Sequence, residues 1–285
     1  MEKIKEYLLN KIFTVPYLDK MATEDMIPDS FLKCVKRYVN NDKQTIGEAL
    51  SEIYHYMDRE YRNEYFYKNT ILNQLLLGKH DIYHTSVLSE LPVAGSKADV
   101  VMINGQGVVY EIKTDLDNLS RLENQINDYY QVFSYVYIVT GRKHLTKIKE
   151  VFQDTKAGIY ELTDTGRLIQ RRRASCNREH LSHDIMFRLL RKYEFEEILL
   201  KHYQKLPDVN NFIYYRQCLE WIKGINILTF QKDVMDCLKK RTSIVITDLL
   251  QGEVPYELRY YAYFSKRYRS DHSLMDVLLS KKMEV

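Results

Sequence analysis

The spacing of apolar residues changes twice along this chain, and that double change constrains the fold more than any other feature. Residues 1–78 carry apolar side chains at helical spacing, as in Phe31, Leu32, Val35, Tyr38 and Val39, until Gly78 interrupts the pattern. From Asp81 short runs rich in Val, Ile and Tyr stand between Gly, Pro and Asn breakers, the pattern of strands. These runs cover residues 82–88, 98–103, 108–114 and 135–140, and the stretch 116–133 is long and periodic enough for a helix. Residues 158–163 and 167–173 flank the turn Thr163-Asp164-Thr165-Gly166 and read as a hairpin. After Ser175 the helical spacing returns, broken at Pro207-Asp208, at Gly224 and from Gly252 to Pro255. This order predicts an α/β fold, with a mixed central sheet, flanking helices and helical extensions at both ends. The expected divisions are an N-terminal helical extension over residues 1–57, a core over 58–175, and a C-terminal helical region over 176–285.

Composition narrows the class. The chain has 285 residues, 45% apolar and 28% charged, which suits a folded protein with a sizeable core and excludes a disordered one. No run approaches the ~20 apolar residues of a membrane span, and no secretory apolar region opens the chain, so a cytoplasmic location without a membrane partner is expected. Cys34, Cys176, Cys218 and Cys237 are widely separated, which favours reduced thiols and disfavours zinc. His180 and His183 form an isolated H-x-x-H and read as surface histidines. The absence of a G-x-x-x-x-G-K-[ST] loop argues against a nucleotide-driven motor. The net charge of +3 conceals an asymmetry: residues 1–140 hold 15 basic and 20 acidic side chains, residues 141–285 hold 27 and 19. An acidic front of −5 thus precedes a basic back of +8.

The informative segment runs from Lys97 through Asp99 and Ile103, across Asn104-Gly105-Gln106-Gly107, and on to Glu111-Ile112-Lys113. Side chains alternate faces along a strand, so Val109, Glu111 and Lys113 share one face, and Asp99, Val101 and Ile103 share another. A three-residue loop, Gly105-Gln106-Gly107, makes the two faces coincide and sets Val101 opposite Glu111 and Asp99 opposite Lys113. Asp99 and Glu111 then become diagonal neighbours about 7–8 Å apart at Cα. A four-residue loop would put Asp99 on the opposite face.

Two converging carboxylates beside an ammonium suit phosphodiester hydrolysis. Mg²⁺ or Mn²⁺ on the carboxylates would activate water and neutralise phosphate charge, and a lysine would steady the attacking water. The plainer reading is an ion cluster on a solvated sheet face. Against it, the shared face is otherwise Val101, Ile103 and Val109, and charges set in an apolar wall commonly serve a purpose.

Asp99 followed by Glu111-Ile112-Lys113 resembles the D…E-x-K signature of the PD-(D/E)XK phosphodiesterase superfamily, with Ala98 in place of the motif proline. The stretch continuing through Asp115, Leu119, Arg121, Gln125, Tyr129 and residues 136–139 is similar to uncharacterised bacterial proteins of that superfamily. Gln125 and Tyr129 also match the Q-x-x-x-Y pattern of its RecB-like members. The resemblance spans roughly residues 64–140. It implies a restriction-endonuclease-like core and a metal-dependent nuclease acting on nucleic acid, DNA more than RNA, in bacterial defence or mobile-element conflict. It further implies Asp99, Glu111 and Lys113 as catalytic residues, with metal held by Asp99, Glu111 and the Ile112 carbonyl.

A further carboxylate from the preceding helix would be Glu64, with Glu60 as second choice, although Lys68 at i+4 also makes a helical ion pair a sufficient account of Glu64. Asp115 and Asp117 would cap the following helix. Arg121, Gln125 and Tyr129 stand at i, i+4 and i+8, one stripe on a helix, and the resemblance implies that it contacts the nucleic-acid backbone.

Arg171-Arg172-Arg173 and the alternating cations and rings of residues 259–269 could serve a polyanion, although buried rings with solvated cations are the plainer reading of the latter. With 24 tyrosines in the chain, a single aromatic cluster carries little weight. The competing functional reading is a nuclease-like fold kept as a non-catalytic module binding nucleic acid or protein. The oligomeric state stays open, a dimer being one option.

Overall fold

The computed structural model describes residues 2–24, 26–39, 45–79, 83–241 and 253–283. Ile82 and Gly252, assigned above to a strand and to a breaker, lie outside the described residues. The N-terminal part forms α1 (Glu2–Ile12), α2 (Val15–Glu24), α3 (Asp29–Tyr38), α4 (Ile46–Glu60) and α5 (Glu64–Ile71), the last continuing through a π-helical turn (Leu72–Leu76) into α6 (Leu77–Lys79). Local chemistry sets the two starts that matter most. Thr45 and Glu48 make a reciprocal capping box on α4, and the Asn63 side chain accepts from Phe66 N–H to start α5. That cap puts Glu64 in the first turn of α5.

The strands are β1 (Ser86–Val93), β2 (Ser96–Asn104), β3 (Gln106–Lys113), β4 (Tyr135–Thr140), β5 (Gly158–Leu162) and β6 (Leu168–Arg172), with α7 (Leu122–Tyr130) and α8 (Arg142–Val151) following β3 and β4. They form a six-stranded mixed sheet in the order β1-β2-β3-β4-β5-β6. The β1–β2, β2–β3 and β5–β6 pairs are antiparallel, and β3–β4 and β4–β5 are parallel. The parallel pairs need crossovers, and α7 and α8 supply them. Helices α9 (His183–Leu189), α10 (Lys192–Tyr203), α11 (Asn211–Lys223) and α12 (Ile227–Lys240) follow. A 3₁₀ turn (Tyr256–Leu258), α13 (Arg259–Phe264), α14 (Lys266–Ser270) and α15 (Ser273–Ser280) complete the described chain. No helix among the described residues is long and apolar enough to cross a membrane.

Each sheet face buries its own core. One contains Val100, Met102, Tyr110 and Ile112 against α1–α6 and against the C-terminal helices, including Tyr260, Tyr261, Tyr263 and Met275. N- and C-terminal helices therefore share one core, and the isolated bridge between Thr45 and Lys282 ties their ends together. The other core joins Val101, Ile103, Val109, Val136 and Ile138 to α7 and to α9–α12. The rings of residues 259–269 follow the plainer reading: Tyr260, Tyr261, Tyr263 and Tyr268 are buried, and the segment is broken at Ser265 into two short helices. They pack the core rather than forming an exposed stacking surface, and Tyr260 also lines a cavity beside α5.

The β2–β3 loop is tighter than expected. Asn104 pairs with Gln106 around Gly105, whose φ of +69° favours a residue without a Cβ, and Val101 lies opposite Val109 rather than Glu111. This shift of two residues preserves the faces. It carries Asp99 from opposite Lys113 to opposite Glu111. The helix expected over 116–133 also proves shorter, because residues 114–121 form a loop. Asp117 Oδ2 accepts there from both the backbone N–H and the hydroxyl of Thr114, at 2.8 Å each. Asp115 and Asp117 accordingly do not cap α7, whose N-cap residue is Arg121, without a side-chain cap.

Candidate functional site

Glu111 is 1% exposed, and both its oxygens are engaged. Lys113 Nζ donates to Oε1 at 2.7 Å, and the Tyr129 hydroxyl donates to Oε2 at 2.6 Å. That hydroxyl also lies 2.9 Å from the Lys97 carbonyl oxygen, and Gln125 hydrogen-bonds to it from one turn earlier in α7. Burial and the Glu111 charge raise the Tyr129 pKa, so the group stays protonated and acts as a donor. Tyr129 thus links the α7 crossover to the E-x-K strand. Ser96 donates to Asp128 at 2.6 Å and links α7 to the β1–β2 hairpin.

Asp99 faces this group from β2. Its Oδ2 accepts the Ile112 N–H at 2.7 Å. Burial, then the charges of Glu111 and Glu64, raise its pKa well above the usual carboxylate value. Three carboxylates thus crowd one partly dehydrated place. Ile112, expected to offer its carbonyl, presents its N–H to Asp99 here.

Glu90 is the residue that sequence reasoning missed. The β1–β2 register pairs Ser89 with Val100 and Leu91 with Ala98, and skips Glu90 and Asp99 between them. Glu90 has φ +57°, a left-handed conformation that costs a non-glycine residue about 1–2 kcal/mol. The break lets Leu88 before it, and Leu91 and Val93 after it, enter the same core. The Glu90 carboxylate pairs with Lys68 and with Lys97, which hold its pKa below the ordinary value against the effect of burial. Glu64 Oε1 is 2.5 Å from the same Lys68 ammonium. Glu64, Glu90 and Asp99 each offer an oxygen within 4.8 Å of the others. No periodicity marks Glu90, and its one signal in the sequence is an acidic residue inside an apolar run.

A polar cleft of about 660 Å³ opens over these groups, lined by Glu64, Glu90, Lys97, Asp99, Arg121 and Gln125 among others. Of the expected residues, Glu64, Asp99, Arg121 and Gln125 line the cleft, and Glu111, Lys113 and Tyr129 lie buried next to Asp99. Glu64 has both its ion pair with Lys68 and a place beside Asp99. Glu60 stays exposed at the end of α4, outside the cleft.

Arg171, Arg172 and Arg173 do not join the cleft. They end β6, three strands from β3, where Arg171 Nε pairs with Glu161 at 2.5 Å. Arg172 donates to the carbonyls of Ala157 (2.8 Å) and Phe152 (2.7 Å). Arg172 is fastening the edge of the sheet. His183, expected at the surface, is half-buried, bonded to the Ile225 carbonyl at 2.9 Å and stacked on Phe230. The cysteines are free.

These features define an α/β protein whose mixed sheet carries a carboxylate-rich cleft beside a buried Glu111–Lys113–Tyr129 group. The family model for bacteriophage P4 protein cII matches residues 57–253, a span that includes every residue of this cleft. The chain belongs to that family. It is similar to Protein cII of Enterobacteria phage P4, with 25% identity over 214 residues, covering 72% of this chain and 78% of that protein. No solved structure matches the chain.

Proposed function

We propose that this protein is a divalent-metal-dependent nuclease of the PD-(D/E)XK type, hydrolysing phosphodiester bonds of nucleic acid, with DNA favoured. The observation that carries this reading is the junction of Asp99 with Glu111 and Lys113 on adjoining strands, under a helix that supplies Gln125 and Tyr129. The β1–β2–β3 meander, continued through α7 into parallel β4, agrees with the restriction-endonuclease-like core that the motif implies. A relative in a bacteriophage is in keeping with a setting of defence or mobile-element conflict.

The donor set fits a hard cation. Its carboxylate oxygens suit Mg²⁺ or Mn²⁺, and burial together with the charges of Glu111 and Glu64 raises the Asp99 pKa, which a dication would offset. Asp99 and Glu111 would hold the ion, with Glu64 and the Ile112 carbonyl as further ligands. When bound, it would lower the pKa of water and screen charge growing on the phosphate oxygens. Lys113 would steady the attacking water and the added negative charge. Tyr129 fixes the orientation of Glu111, and Arg121 and Gln125 would bind the strand backbone at the rim. Water attacks phosphorus and the bond to one ester oxygen breaks, leaving a phosphate monoester and a hydroxyl.

A second reading, a non-catalytic binding module, draws on one observation. Three carboxylates of the site already have cationic partners in the chain, Lys113 for buried Glu111 and Lys68 for Glu64 and Glu90 in the cleft. A titration of Mg²⁺ and Mn²⁺ against circular DNA, linear DNA and RNA separates the two. Metal-dependent cleavage of any of them supports the nuclease. Salt-sensitive binding with no cleavage under either metal supports the module.

A further inference from the structure

Beside the polar cleft lies a second, half-open chamber of about 550 Å³, bordered by α1, α2, the start of α5 and the loop after β3. The two share Glu64, and Lys68 lines the second chamber while bridging Glu64 to Glu90 of the first. Their characters differ. Phe13, Tyr61, Tyr65 and Tyr260 supply aromatic walls to the second, and Leu116 stands at its mouth, 55% exposed on the loop leaving the E-x-K strand. Among the described residues that line it Lys68 is the sole basic one, and its ammonium is already paired with two carboxylates. Glu64 and Asp117 add negative charge. This environment rejects phosphate and accepts a flat, neutral, largely apolar group. The size suits a small ligand, within the usual range of roughly 300–1,000 Å³.

We propose that this chamber receives an unpaired base of the strand whose backbone lies in the cleft, so that the substrate is single-stranded or locally unpaired nucleic acid rather than continuous duplex. The inference rests on the nuclease reading of the cleft. A strand alternates charged backbone with flat neutral bases, and the two chambers, joined at Glu64, offer those two environments side by side. A base inside a duplex is stacked and paired, and must leave the stack before it can enter such a pocket. Specific reading of its edge is sparse. Asn63 spends its amide on Asn10 Oδ1 and the Leu9 carbonyl, and its oxygen on Phe66 N–H. Asn10 uses its own amide on the Tyr61 hydroxyl. The pocket therefore selects for the unpaired state more than for base identity.

The test is binding by the full chain of a labelled oligonucleotide of about 16 nucleotides, as single strand and as duplex, with abasic residues placed one position at a time. It is run on Glu111→Ala protein, to prevent cleavage, and repeated with Leu116→Ala or Thr14→Trp added. Leu116 and Thr14 are exposed, and the Leu116 side chain holds no hydrogen bond. Thr14→Trp gives up one exposed bond, from the Thr14 hydroxyl to the Lys11 carbonyl at 2.8 Å, so folding of each variant is checked first. The expected result is single strand bound at least tenfold tighter than duplex, with one abasic position costing roughly tenfold and that penalty vanishing in the Thr14→Trp protein. Equal binding of strand and duplex with no sensitive position overturns the base pocket, while metal-dependent cleavage by the unaltered protein would leave the nuclease reading standing. No binding and no cleavage of either form overturns both.

Discussion

Tyr129 reaches from the α7 crossover to Glu111 on β3 and donates its hydroxyl to Oε2 across 2.6 Å, opposite the lysine that holds Oε1. One buried carboxylate is thereby fixed in orientation by two elements of the fold. On the proposed function this contact presents Glu111 to the cation and turns the family-like helix into part of the site.

Tyr129→Phe removes that donor while keeping the ring in the core. A buried carboxylate oxygen losing its partner costs about 1–3 kcal/mol of stability. Loss of a group that orients a metal ligand lowers metal affinity or activity by roughly 10–100-fold. Metal titration and thermal unfolding of the variant check both. Unchanged metal affinity would mean that the bond serves packing alone.

Glu90 is held in a left-handed backbone, which predicts an inverted order of stabilities. Glu90→Gly and Glu90→Ala both remove the carboxylate from Lys68 and Lys97. The glycine variant should be the more stable by about 1 kcal/mol, the reverse of the order in an ordinary strand. Denaturant unfolding compares them, and alanine equalling or exceeding glycine would contradict the strain at this position.

Asp99 carries a raised pKa, so the metal-free folded protein holds a proton that the unfolded chain releases near the ordinary value of about 3.9. Its contribution to stability is fully present below that value. It is lost as pH rises through the folded-state pKa, because the folded state binds more protons across that window. Asp99→Asn keeps an acceptor for the Ile112 N–H and removes the charge. Without metal, the variant should gain stability over the parent as pH rises from about 4 to 8, by about 1 kcal/mol or more, while losing cleavage. Parallel pH–stability curves would contradict the assignment.

Arg172 serves the fold, since its guanidinium satisfies the Ala157 and Phe152 carbonyls at the sheet edge. Arg172→Ala should cost about 1–3 kcal/mol of stability and leave nucleic-acid affinity at fixed salt within about twofold. A large, salt-dependent loss of affinity would return this residue to the binding surface.

The parts of this fold that were readable from sequence are those that local spacing governs. The alternating spacing that marks β2 and β3 and the return to helical spacing after Ser175 match the described elements, whereas the strand expected over residues 82–88 lies at Ser86–Val93. Asp99, Glu111 and Lys113 fell on one face because a shift of two residues in a hairpin preserves parity. The shift itself was not readable, because Asn-Gly-Gln-Gly admits a turn centred on Gly105 as well as a three-residue loop centred on Gln106. Glu90 was hidden because its backbone is set by contacts across β2 and with Lys68, none of which leaves a periodic trace. Burial of the rings of residues 259–269 was the plainer reading of their spacing, but their partners were not readable, because contacts such as Tyr65 with Tyr260 join residues more than 190 positions apart.

The central claim is that Glu111 and Lys113 act together on a metal-dependent phosphodiester cleavage. It is tested most directly by measuring DNA cleavage under Mg²⁺ or Mn²⁺ for the parent, Glu111→Ala and Lys113→Ala proteins side by side, each checked for folding. The account predicts cleavage by the parent that stops on chelation and falls at least about 100-fold in both variants. Cleavage that persists unchanged in folded Glu111→Ala and Lys113→Ala proteins would contradict it.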